Sequence, residues 1–250
     1  MGLFDLFFGK KQTSVETEKP KTERELQRYE RLVSNKLSQN YDRQEALEQL
    51  ARAGTARSAE ILLKRFNWQM DPSITDQEEK QLAVEGIAAA GEAALEPIRA
   101  YCRKADSLTW PTKALRLIVP PERLEEELLA LLDAFDTEYV RNPEPKVQLI
   151  TLLQEFRSED VRIATEPFLL DMSESVRFAA VNTVFSVGDA KSAPALVEAM
   201  AEEESLRVRN RIASGLSEQG WVLPEEVRSA CQGALPQRYT VDGEGRVQTA

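Results

Sequence analysis

Histidine is absent from all 250 residues. That removes the commonest general base, the Ser-His and Cys-His nucleophile pairs, and the commonest transition-metal ligand. Cysteine is scarce: Cys102 and Cys231 make no CxxC pair and sit in apolar helical contexts. They read as buried small hydrophobes in a reducing compartment, with a reactive thiol at Cys102, beside Arg99, Arg103 and Lys104, as the alternative. No apolar run approaches the roughly 20 residues of a membrane-spanning helix. Gly-rich phosphate loops, HExxH, GxSxG and DxDxDG are all missing. Carboxylates abound without any pair standing out, so the sequence points to no enzyme, no cofactor and no metal.

What is present is a repeat. Arg43, Lys80, Arg177 and Arg209 each stand 11 residues before a glycine, at Gly54, Gly91, Gly188 and Gly220. Between them recur two apolar doublets: Ala46-Leu47 with Leu50-Ala51, Ala83-Val84 with Ile87-Ala88, Ala180-Val181 with Val184-Phe185, and Ile212-Ala213 with Leu216-Ser217. The spacing i, i+1, i+4, i+5 is one stripe of a helix, and its return at a fixed period predicts a helical solenoid. Gly and Pro then divide the chain into six helix pairs, at about 42–68, 76–104, 108–135, 144–171, 173–203 and 205–234.

Before the first pair, Thr22 and Glu25 form a capping-box pattern. Leu26, Tyr29, Val33 and Leu37 give a single apolar stripe to about residue 39, as a terminal capping helix requires. Residues 12–21 are polar, contain Pro20 and read as a flexible linker. Residues 1–11, MGLFDLFFGKK, are a separate piece. Leu3, Phe4, Phe7 and Phe8 share one helical face, Leu6 flanks it, and Lys10 and Lys11 follow. The order of charge and apolar residues is wrong for a signal peptide. Three roles stay open: a peripheral contact at the inner membrane surface, a helix docked in a partner's groove, or a cover for the first apolar face of the solenoid. Residues 235–250 carry two alternating runs around Asp242-Gly243-Glu244-Gly245, a hairpin signal. Because a lone hairpin is marginal in water, a mobile tail is the favoured expectation there.

The net charge of −10 is unevenly spread. Residues 1–120 carry 19 Lys/Arg and 18 Asp/Glu, and residues 121–250 carry 13 and 24. The acidic half disfavours nucleic acid as a partner. It reads as ordinary solubility charge, with an acidic docking face as the alternative. Glu202-Glu203-Glu204 suits a cap or a loop equally well.

The fifth unit, residues 173–200, resembles a HEAT repeat of the short bacterial, phycobilisome-lyase type. The pattern is carried by Val176-Arg177, Ala179-Ala180, Gly188-Asp189 and Pro194. The second unit keeps Gly91 and Pro97 at the same offset, and the sixth keeps Val208-Arg209 and Gly220, while the third and fourth lack the turn glycine and the Val-Arg pair. The resemblance covers residues 42–234. It implies a right-handed all-α solenoid of about six HEAT-like pairs in which Arg177 bridges to an acidic neighbour, Asp171 or Asp189. It also implies that second helices line the concave face. There Lys64, Arg65, Arg99, Arg103 and Lys104 lie beside Trp68 and Tyr101, a mixture able to bind an anionic peptide or a phosphate-bearing surface, or simply solvated helix faces. The function expected is a cytoplasmic, non-enzymatic scaffold for another protein. Bilin-lyase-like or DNA-glycosylase-like activity on the same fold is the alternative the resemblance carries.

Overall fold

The structure, a computed structural model, describes residues 22–250. The readings of MGLFDLFFGKK and of the linker 12–21 fall outside the described residues. The chain first turns into α1 (Glu23–Ser34), started by a full capping box in which the Thr22 hydroxyl accepts from the Glu25 N–H and Glu25 accepts from the Thr22 N–H. Leu26 and Val33 face inward. The helix stops at Ser34, so Leu37 does not extend the stripe and is 89% exposed.

Six antiparallel pairs follow: α2 (Asn40–Ala53) with α3 (Ala56–Leu63), α4 (Ser73–Ala89) with α5 (Leu95–Cys102), α6 (Thr109–Ile118) with α7 (Pro121–Leu132), α8 (Glu144–Leu153) with α9 (Glu159–Thr165), α10 (Glu174–Val187) with α11 (Ala193–Glu202), and α12 (Leu206–Gln219) with α13 (Glu225–Ala234). First helices stack on first helices through α2, α4 and α6 and again through α8, α10 and α12, while α3 packs on α5 and α11 on α13. The architecture is an all-α solenoid, and its buried stripe is the repeated doublets: Ala46, Leu47, Leu50, Ala83, Val84, Ile87, Ala180, Val181, Val184, Ile212, Ala213 and Leu216 are all buried.

The turns have local causes. Gly188 (φ +78°) and Gly220 (φ +62°) close α10 and α12 in the left-handed conformation, which a Cβ penalises. In the third pair Pro121 opens α7 as its first residue, where no N–H is needed. In the fourth, the Ser158 hydroxyl caps α9 by accepting from the Val161 N–H at 3.1 Å.

The end of the chain corrects the expectation of a tail. Strands β1 (Tyr239–Val241) and β2 (Val247–Thr249) pair antiparallel, with Tyr239 opposite Thr249. Their support is α12 and α13: Tyr239 and Val247 are buried, the Leu223 N–H donates to the Gly245 carbonyl at 2.8 Å, and the Val241 N–H donates to Gln232 Oε1 at 2.8 Å. A hairpin too small to stand alone thus closes the last pair.

Candidate protein-binding groove

The repeated cations belong to the scaffold. Arg43 is fully buried and donates from Nε and Nη2 to the Glu79 carboxylate at 2.9–3.0 Å and from Nη1 to the Ser38 carbonyl at 2.7 Å. Lys80 donates to Asp76 at 2.7 Å. Lys146, fully buried, donates to Asp171 Oδ2 at 2.7 Å and to the Glu138 carbonyl at 3.0 Å. Arg177 meets both oxygens of Glu203 at 2.8 Å and the Asp171 carbonyl at 2.9 Å, and Arg209 donates to the Glu203 carbonyl. Arg43, Lys146 and Arg177 therefore each bond the loop before their own helix and a carboxylate of the next unit. Arg177 accordingly pairs with neither residue expected of it: the Asp171 carboxylate serves Lys146, and Asp189 faces Arg162 at 3.5 Å. Burial alone would raise the Glu203 pKa, but the Arg177 hydrogen bonds, the Ser205 N–H and the nearby cations outweigh it and hold the carboxyl below its ordinary value.

The seven residues proposed for partner contact separate into three groups. Arg65 is withdrawn: it is fully buried, donating to Glu79 at 2.7 Å, to Asp76 at 2.7 Å and to the Trp68 carbonyl at 3.1 Å. Its guanidinium lies 3.7 Å from the Trp68 ring centroid, and the Trp68 indole N–H donates to the Val33 carbonyl at 3.2 Å. Trp68 thus secures α1 to the first pair. Arg99 turns toward the third pair, held by Glu127 at 2.5 and 2.8 Å, and Arg103 is exposed with Glu96 at 3.8 Å.

Lys64, Tyr101 and Lys104 do converge. They line a groove of about 570 Å³ between α5 and α3 with its short 3-10 extension (Lys64–Asn67). Leu63, Pro97, Ala100 and Ala105 give it an apolar floor and wall, and Glu60, Glu96, Lys64 and Lys104 set charges of both signs along its rim. The Tyr101 hydroxyl donates to Asn67 Oδ1 at 2.8 Å across the groove, and its ring meets Phe66 edge-on with centroids 6.3 Å apart. Burial raises the Tyr101 pKa, so the phenol stays a neutral donor. Lys64 also reaches Glu30 of α1, and that hydrogen bond holds the Glu30 carboxyl below its ordinary value. The sequence contained a usable signal for this site. Glu60, Leu63, Lys64 and Asn67 on one side, and Pro97, Ala100, Tyr101 and Lys104 on the other, both follow i, i+3, i+4, i+7, one outward stripe on each second helix.

Neither cysteine thiol is activated. Both are buried, and burial pushes Cys102 up to about 12 and Cys231 up to about 11. Among the described residues no helix is long and apolar enough to cross a membrane.

Residues 122–217 match the family model described as HEAT repeats. No curated protein matches the chain. The match runs from α7 into α12 and so includes the fourth unit, whose motif residues depart most from the others. Repeats of this class generally mediate protein–protein interaction. Stacked helix pairs joined by buried cation–carboxylate bonds, with this match across their second half, make the chain a HEAT-repeat protein.

Proposed function

We propose that the protein is a non-enzymatic, cytoplasmic scaffold that holds a segment of another protein in the groove between α3 and α5. The groove itself carries the reading: it is of ligand-cleft size (roughly 300–1,000 Å³), with an apolar floor, a tyrosine donor and a rim of mixed charge. A helix or extended segment with an apolar face and both acidic and basic flanks fits this chemistry. The acidic charge of the second half weighs against nucleic acid. Residues 1–11 would place the scaffold at a membrane surface or on a partner.

Ala100 is exposed on the groove wall and Lys104 is exposed at its rim. Ala100→Trp should fill the groove, and Lys104→Glu should invert one rim charge, each without touching the core. Co-purification from the native host should yield a stoichiometric protein with the wild type and lose it with either variant, while thermal melts stay unchanged. Retention of bilin (a visible absorbance shift) or of DNA at low salt, with no protein partner, would overturn the reading.

A further inference from the structure

A second surface lies on the opposite half of the molecule, along the edge formed by the loops between units. Tyr139 (74% exposed), Leu170 (47%), Met172 (61%) and Leu206 (70%) stand there in the loops before α8, α10 and α12 or beside them. The loops are tied together: the Met172 N–H donates to the Thr137 carbonyl at 3.1 Å, and the Ser205 N–H donates to Glu203 Oε1 at 2.7 Å. Between them opens a cleft of about 260 Å³ lined by Leu170, Met172 and Ala199, floored by the Arg177–Glu203 pair and flanked by Glu202 and Glu204. Glu202 and Glu204 are exposed, and no ion pair among the described residues engages them. Bulky apolar side chains left in water beside free carboxylates fit a segment in which large apolar residues adjoin lysines.

The chain encodes one such segment. Leu3, Phe4, Phe7 and Phe8 are followed directly by Lys10 and Lys11. Its own copy of the cleft is poorly placed to receive it. The Glu23–Arg57 and Glu30–Arg57 pairs fix α1 beside α3 at the first unit, and the cleft lies at the fifth. Five helix layers at roughly 8–10 Å each amount to about 40–50 Å. The chain between Phe8 and Thr22, about 45 Å at full stretch, would have to run taut along the whole array. A second copy lying antiparallel brings its first unit beside the fifth unit of its neighbour, and the contact then occurs twice about a two-fold axis.

We infer that residues 3–11 of one copy dock in the Leu170–Met172–Leu206 cleft of a second copy, with Lys10 and Lys11 facing Glu202 and Glu204, to make a reciprocal dimer. This rests on the reading of residues 1–11 as an interaction segment and names its partner.

The test uses full-length chains in sedimentation velocity across a concentration series. The wild type should dimerise. Lys10→Glu/Lys11→Glu and Glu202→Lys/Glu204→Lys should each weaken dimerisation by at least about tenfold through like-charge contacts, with melting curves unchanged. Mixing the two variants should restore dimers to near wild-type strength, because every contact in the mixed pair again joins opposite charges. A wild type that stays monomeric throughout, or single variants that dimerise normally, would overturn the dimer. A monomer that nevertheless pellets with anionic phospholipid vesicles would overturn it while leaving the interaction-segment reading intact. Failure of the mixture to recover would show that the charges are not partners and would equally reject the docking.

Discussion

Lys146 occupies in α8 the position that Arg43, Lys80, Arg177 and Arg209 hold in their own helices, with Leu149-Ile150 and Leu153 at the repeat's usual offsets. In α6 the same position falls on Pro111, and the cation is missing there. Lys146 and Asp171 are both essentially unexposed, so each ion depends on the other for the solvation it gave up. Removing one leaves a bare charge in the core, whereas replacing both can be nearly neutral. Lys146→Met should therefore cost about 3–5 kcal/mol, read as a drop in the urea midpoint. Adding Asp171→Asn, which keeps the acceptor that Ser173 N–H uses at 2.7 Å, should recover part of the loss. Arg177→Ala should cost less, since its side chain is 19% exposed and Glu203 also accepts from Ser205. A Lys146→Met protein as stable as the wild type would show that these cations are not the joints between units.

At the scale of the element, α12 lies so close to α10 that a Cβ at Gly215 would run into the Phe185 ring. Trp221 backs that ring, with centroids 5.8 Å apart, so it has nowhere to swing. Gly215→Ala raises helix propensity by up to about 1 kcal/mol, yet overpacking of about 1–3 kcal/mol should prevail. The expected outcome is a lower melting temperature despite a better helix former, and a higher one would mean the interface gives way. The sequence made these helices visible because their periodicity reports which face is buried. It could not report against what. A stripe containing Arg65 reads alike whether the guanidinium is solvated or locked between Glu79 and Asp76, since the carboxylates lie 11 and 14 residues on. The groove was only half visible for the same reason: Lys64, Tyr101 and Lys104 stood out as charge and aromatic, while Glu60, Asn67 and Ala100 gain meaning only once α3 and α5 are side by side. The hairpin depended on a support that no local pattern records.

For the whole molecule, the absence of histidine sets the shape of the stability curve. No side chain of the ordinary kind titrates between about pH 5 and 8, so stability should be flat there. On the acid side, Asp76 and Glu203 have folded pKa values below their ordinary 3.8 and 4.5; for both, burial pulls upward and the cation hydrogen bonds pull further downward. An unfolded chain takes up protons at the ordinary values while the folded one resists, so stability is present above them and falls as pH drops through them. Because each unit contacts mainly its neighbours, loosening these joints uncouples adjacent pairs along the array. On the alkaline side the sign is set by the thiols. Cys102 and Cys231 rise from 9.0 to about 12 and about 11. Their contribution is complete below pH 9, where both states keep the proton, and is lost above it as only the unfolded chain ionises. Urea midpoints measured from pH 3 to 10 should thus trace a plateau with two shoulders. Arg177→Ala should make the acid shoulder shallower, and Cys102→Ala/Cys231→Ala should remove most of the early alkaline fall. An alkaline shoulder unchanged by that double substitution would mean the thiols ionise freely in the folded chain, and the packing drawn around them would be wrong.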